Sequence, residues 1–253
     1  MVQDPAVDQV YGELLHVMEF ALDKLASQVP APQSAPFGPN RFVFRYMERT
    51  AQQAIVQKLA RIITGLRAAH FLLEQGLLQE QAVIERVIDE FHEDVLFLSY
   101  GILKGETKNH KSFLTGFYEE EFDNAASAFD STQKRPTVSR DKIRAYLARI
   151  EGISGNPSDN QEQLRTLFKA FSGFVHGASP QIMDMYIGDP PHFHVRGMLG
   201  TVRMAEYQFD IWNYFYRGIM AFGYAAKAFG DEELFQGILV QKRNFERQSG
   251  RGE

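Results

Sequence analysis

Apolar residues recur along this chain at intervals of three and four rather than two, the spacing that gathers side chains on one face of an α-helix. Val10, Leu14, Val17, Met18, Ala21 and Leu25 make such a face and predict a first helix from about Asp4 to Val29. Pro30, Pro32, Pro36 and Pro39 then forbid continuation, since proline brings no amide hydrogen and crowds the preceding turn. Asn40 is a suitable N-cap for a long helix from Arg41 to about Gln75, closed by Gly76 where helices exit through a left-handed residue. A third helix, Glu80 to Lys104, carries the seam Ile84, Val87, Ile88, Phe91, Val95 and Leu98, and Gly105 ends it.

The same periodicity predicts helices over Lys111 to Asp130 and Ser139 to Glu151, joined by the polar linker Ser131 to Pro136. Asp159 with Glu162 forms a capping-box pattern that opens a further helix, stopped by Pro180. An irregular piece follows and includes Asp189, Pro190, Pro191, His192, Phe193 and His194. A second long helix then runs from about Val195 to Phe229, and Gly230 and Asp231 separate it from a last one reaching about Glu246. No run alternates as a half-buried strand does. The expectation is an all-α fold: a single multi-helix bundle with two long helices and a buried, aromatic-rich penultimate helix. It is read as one domain over 1–253, with 1–40 as N-terminal helix and Pro-rich connection, 41–230 as bundle core and 231–253 as C-terminal helix and tail.

Composition narrows the chemistry. The 253 residues are 44% hydrophobic, enough for a sizeable core, and the net charge of -5 argues against a surface that is a nucleic-acid footprint throughout. With no cysteine there is no disulfide frame, thiolate nucleophile or thiolate metal ligand. The start, Met-Val-Gln-Asp-Pro, lacks the basic and apolar blocks of a secretion signal, and even Ile211 to Gly230 is interrupted by Asn213, Arg217 and Lys227. A cytoplasmic protein with no membrane span and no cofactor is expected.

Candidate chemistry centres on Leu164 to Pro180, where Arg165, Lys169, Ser172, His176 and Ser179 fall at steps of four, three, four and three and stack in one stripe. Gly173 and Gly177 beside it leave room for another backbone. Imidazole titrates near neutrality, so His176 is suited to acid–base work or to holding an anion. Arg86 and Glu90 sit four apart beside Val87 and Phe91, and a polar centre shared by Arg86, Glu90 and His176 is expected. A further stripe, Glu206, Asp210, Asn213 and Arg217, lies among Tyr207, Phe209, Trp212, Tyr214, Phe215 and Tyr216 and reads as an internal network.

Metal readings are weaker. His192 and His194 with His176 supply three imidazoles, a loose signal at two residues apart in a Pro-bounded loop, and Glu13 with His16 and Asp89 with His92 approximate the Glu-x-x-His spacing of di-iron bundles without a second well-formed motif. No metal is therefore expected. Lys134, Arg135, Arg140, Lys142, Arg144 and Arg149 face a single acid, Asp141, and this local excess is the candidate RNA contact. Gly-rich phosphate loops, Gly-x-Ser-x-Gly elbows and His-Glu-x-x-His are missing.

Taken together, Gly76 before a helix bearing Arg86-x-x-x-Glu90, the run Ser172-Gly-Phe-Val-His176-Gly and a long closing aromatic helix make roughly Gln52 to Phe229 resemble bacterial all-α proteins of unknown function that are loosely grouped with the HEPN superfamily of helical nucleases and toxins. That resemblance implies an RNA-acting protein, a ribonuclease or a toxin or phage-defence component, with His176, Arg86, Glu90 and Lys169 as site residues and a homodimer as its form. Arg86 and His92 match the family's arginine-to-histidine spacing. The alternative is a non-catalytic helical module that binds a protein or small ligand, its polar seams serving fold specificity.

Overall fold

The computed structural model describes residues 5–37, 41–120, 128–132, 134–150 and 172–251. Its helices are α1 (Pro5–Ala26), α2 (Ala51–Glu74), α3 (Leu78–Lys104), α4 (Lys108–Tyr118), α5 (Arg140–Ile150), the short α6 (Ser179–Met183), α7 (Met204–Phe229) and α8 (Glu232–Gln248). Residues 172–176 are also helical. The mostly helical bundle expected from periodicity is the fold. Among the described residues four strands accompany it in two antiparallel ribbons: β1 (Gln33–Pro36) with β2 (Phe42–Arg45), and β3 (Tyr186–Ile187) with β4 (His192–Phe193).

The core lies where α2 and α3 pack together and α7 lies across both, with α1 and α8 closing one side. Leu59, Ile62, Leu66 and Leu73 of α2, Ile88, Val95 and Phe97 of α3, and Phe215, Ile219 and Phe222 of α7 are all almost fully buried. Each such side chain stabilises the bundle by about 1.5–3 kcal/mol relative to exposure. Tyr11 brings α1 onto α7 with its ring 4.4 Å from that of Phe215. Ile143 and Leu147 of α5 insert into the same core beside α3.

Several boundaries differ from the sequence expectation. The helix expected from Arg41 begins only at Ala51, because Phe42, Val43 and Phe44 favour an extended strand and Thr50 supplies the cap. Gln53 N–H donates to Thr50 Oγ1 at 3.2 Å while Thr50 N–H donates to Gln53 Oε1 at 3.1 Å, a complete capping box. Asn40 itself lies outside the described residues. The expected helix Lys111 to Asp130 is α4, ending at Tyr118, with a separate 3-10 turn at Ala128–Asp130. The long penultimate helix starts at Met204 rather than Val195; ahead of it Gly197 and Gly200 both have positive φ.

The expected exit of α2 through Gly76 holds. Gly76 has φ 69°, and Leu77 N–H donates to Leu72 O at 2.9 Å. The turn is then sealed from outside: Met198 N–H donates to Gly76 O at 2.7 Å, and a Cβ added at Gly76 would sit 2.6 Å from the backbone nitrogen of Leu199. No helix among the described residues is long and apolar enough to cross a membrane.

Candidate functional site

α3 carries two stripes of ionisable residues on neighbouring faces, and each meets a different partner. Gln81, Glu85, Asp89 and His92, at steps of four, four and three, face α7. Glu90, Glu93 and Asp94 face α5, with Asp94 also reaching α2. The opposing groups are cations: Arg217 on α7, Arg140 and Arg144 on α5, and Lys58 on α2.

On the α7 side Asp89 is the junction. One of its carboxylate oxygens accepts a hydrogen bond from Arg217 Nη1, and the other accepts from the Tyr214 hydroxyl at 3.3 Å. Deeper in, Glu85 is fully buried. Gln81 Nε2–H donates to Glu85 Oε1 at 2.8 Å and to the Tyr207 carbonyl at 3.3 Å, while Glu85 Oε2 has no hydrogen-bond partner among the described residues. Burial pushes the Glu85 carboxyl up to about 8, reinforced by the charges of Asp210 and Asp89, so the group is neutral near pH 7. The same burial raises Asp89 against the opposing pull of Arg217. His92 reaches solvent with part of its side chain, yet desolvation and the Arg217 charge hold its imidazole down to about 3. This edge therefore holds a neutral acid, a neutral imidazole and one compensated guanidinium.

On the α5 side the pairing is denser. Arg140 Nη1 donates to Asp94 Oδ1 at 2.6 Å and to the Glu90 carbonyl at 3.2 Å, and Lys58 Nζ lies 2.8 Å from Asp94 Oδ2. Arg144, almost fully buried, donates through Nε to Glu93 Oε1 at 2.7 Å. Arg86 Nη2 donates to Glu90 Oε1 at 2.7 Å, the intrahelical pair that the four-residue spacing announced. Two cations of the segment proposed to contact RNA, Arg140 and Arg144, are thus neutralised by carboxylates of α3. Lys134, Arg135, Lys142 and Arg149 remain exposed.

The structure brings Arg86 and Glu90 together and does not join His176 to them. His176 is exposed at the end of the helical segment 172–176 and makes no hydrogen bond or ion pair among the described residues. Its helix stops there rather than at Pro180: Gly177 has φ 62° and Ala178 N–H donates to Gly173 O at 2.9 Å. A Cβ at Gly173 would strike the Gln181 side chain of α6, so the close approach expected at the glycines is made by the chain's own next turn. Lys169 and Arg165 lie outside the described residues. His192 and His194 pack ring on ring at 4.3 Å, with His192 Nδ1 turned to the Pro190 carbonyl and His194 Nε2 to the Ile187 carbonyl. No group of three or more metal-ligating side chains occurs among the described residues.

His110 escaped the sequence analysis. It is buried, stacked on Phe97 at 3.9 Å and 11°, with Nε2 3.0 Å from the Phe97 carbonyl and Nδ1 accepting the Thr107 N–H at 3.0 Å. Nδ1 is therefore unprotonated and Nε2–H donates. The pattern Thr107-x-x-His110, a capping box with imidazole in the usual glutamate's place, was the available signal. Compared with known proteins, the chain matches no family model, no curated sequence and no solved structure.

Proposed function

We propose that this chain is a non-catalytic helical binding module, in which the charged stripes of α3 specify how α2, α5 and α7 dock. The observation that carries this reading is the mutual neutralisation of the inward cations: Arg217 by Asp89, Arg140 and Lys58 by Asp94, Arg144 by Glu93, and Arg86 by Glu90. A site acting on a phosphate backbone needs cations free to exchange counterions for phosphate. In this seam each cation already has its carboxylate. Polar groups placed in this way serve best as registry devices between helices, since a mispaired arrangement would leave a buried charge exposed to an apolar neighbour.

The RNA-acting reading implied by the HEPN resemblance makes the opposite demand and is tested in the same tube. Purified protein is incubated with labelled single-stranded RNA beside His176→Ala and Arg86→Ala. The module reading expects intact RNA in all three reactions. Cleavage by the wild type that disappears in either variant would overturn it in favour of a ribonuclease.

A further inference from the structure

The start of α7 and the end of α8 build an aromatic cleft that already contains a cation. Trp212, the single tryptophan of the chain, stacks on Tyr216 (centroids 5.2 Å, 18°) and on Phe245 of α8 (5.3 Å, 11°), and its indole N–H donates to Ser249 Oγ at 2.7 Å. These contacts fix the indole plane. Over it lies the guanidinium of Arg251, 4.6 Å from the Trp212 centroid and 4.0 Å from that of Phe209, with Nη2 donating to the Phe209 carbonyl at 3.3 Å. Phe209 is 60% exposed, so its ring opens the cleft to the outside.

A carboxylate completes the set. Asp210 follows Phe209 on α7, and burial and the Glu206 charge raise its carboxyl while the charges of Arg217 and Arg251 oppose the rise. Glu206, one turn earlier, is engaged by Arg203 at 3.1 Å, whereas Asp210 forms no ion pair among the described residues. Two aromatic faces and a carbonyl acceptor meet on the guanidinium, with a carboxylate close enough to act on its charge, and these are elements that bind an organic cation. The planar guanidinium suits them better than an ammonium does, because it stacks on a ring while donating sideways.

We propose that this cleft, walled by Phe209 and Trp212 beside Asp210, is a recognition site for an arginine side chain of a basic partner peptide, and that Arg251 is a tethered stand-in that the peptide displaces. The inference rests on the binding-module reading and names its partner by chemistry. Arg251 shields the rings from water until the competitor arrives, and its removal leaves the floor of the cleft intact because Tyr216, Phe245 and Ser249 hold the indole.

Trp212 reports on its own site. Its fluorescence is followed while an acetylated tri-arginine peptide, and separately a tri-lysine peptide, is titrated into wild type and Arg251→Ala. Tri-arginine should give a saturable change in both proteins and bind Arg251→Ala about tenfold more tightly, the scale of two exposed cation–π contacts. Phe209→Ala or Asp210→Asn, each added to Arg251→Ala, should reverse that gain. Equal affinity in wild type and Arg251→Ala, equal affinity for tri-lysine and tri-arginine, or no saturable change would overturn the proposal. The two readings fail separately: RNA cleavage that needs His176 sinks the non-catalytic module whatever the peptide does, and loss of the Arg251 competition in an inert protein sinks the cleft alone.

Discussion

Asp94 of α3 and Arg140 of α5 lie 2.6 Å apart with the Asp94 side chain wholly removed from solvent, joining residues 46 positions apart in the chain. The second oxygen of Asp94 meets Lys58 of α2 at 2.8 Å, and Lys58 in turn lies over the rings of Phe91 and Phe117 at 4.9 and 5.0 Å. One carboxylate thus fastens three helices. Removing it leaves the largely buried Lys58 ammonium without its carboxylate and Arg140 with only the longer carboxylate contacts to Glu90 and Glu93, at 3.9 and 3.7 Å. Asp94→Ala is expected to cost about 3–5 kcal/mol, the range for breaking a buried pair on one side only. Urea denaturation checks this, and a midpoint shifted by less than an exposed-pair substitution would deny the clasp its weight.

Glu85 sets an alkaline dependence. An unfolded glutamate titrates near 4.3, while in the fold the group holds its proton up to about 8. The fold binds more protons than the unfolded chain throughout that interval. Stability therefore falls as pH rises from about 4.3 to 8, at up to about 1.4 kcal/mol per pH unit for this group alone. Glu85→Gln keeps the shape and the bond to Gln81 but cannot ionise. Its melting temperature should match the wild type near pH 4.5 and exceed it at pH 8, and parallel curves over that range would refute the assignment.

His92 sets the acid limb with the opposite sign. Its imidazole is held neutral down to about 3, whereas in the unfolded chain it takes up a proton near 6.5. The stability this group contributes is complete above about 6.5 and is lost progressively as pH falls toward 3. His92→Gln should flatten the loss of stability between pH 6 and 4. A direct measurement is available in the imidazole proton shifts followed by NMR across that range, where a midpoint near 6.5 in the folded protein would contradict the buried cationic setting.

The His110 shelf depends on a missing side chain. A Cβ added at Gly101 of α3 would lie 2.6 Å from His110 Cδ2, closer than real Cβ atoms come. Gly101→Leu should therefore push the imidazole off Phe97 and break its bond to the Phe97 carbonyl, at about 1–3 kcal/mol for overpacking. Thermal denaturation of Gly101→Leu beside Gly237→Leu, a glycine with nothing near its absent side chain, separates steric conflict from general helix effects. Equal losses would show that α4 is not held by this contact.

Periodicity in the sequence located α1, α2, α3, α7 and α8, because each buries a wide apolar stripe whose spacing survives any error at the ends. The ribbon β1–β2 was illegible for a physical reason: Phe42, Val43, Phe44 and Arg45 are too few to alternate visibly, and Phe42 and Phe44 point outward where apolar residues are not expected. The internal network was half legible. The α7 stripe with Asp210 and Arg217 and the α3 pair Arg86 with Glu90 announced themselves by spacing, but Arg217 could not be matched with Asp89 across 128 residues without knowing that α3 and α7 are neighbours. Arg140 and Arg144 read as a solvent-facing basic run because local charge counts are blind to the acids that α3 brings against them. The cleft around Trp212 was noted only as aromatic density, since its occupant, Arg251, belongs to a tail that carries no periodicity.

The turn between α2 and α3 is short and lies between two helices, the kind of place where a chain usually accepts extra residues. Here it is stitched to a second turn over 120 positions later: Met198 donates into Gly76, and Gly197 comes so close that a Cβ on it would lie 2.5 Å from the Gln75 carbonyl. Added length at either turn must open both, so lengthening one loop acts as a lesion in the other. Gly105, whose absent side chain faces nothing within 4 Å, has no such counterpart. A four-residue insertion after Gly76 should therefore be far more damaging than the same insertion after Gly105, and the α2–α3 connection becomes a poor choice for grafting a tag, a permuted terminus or a guest domain.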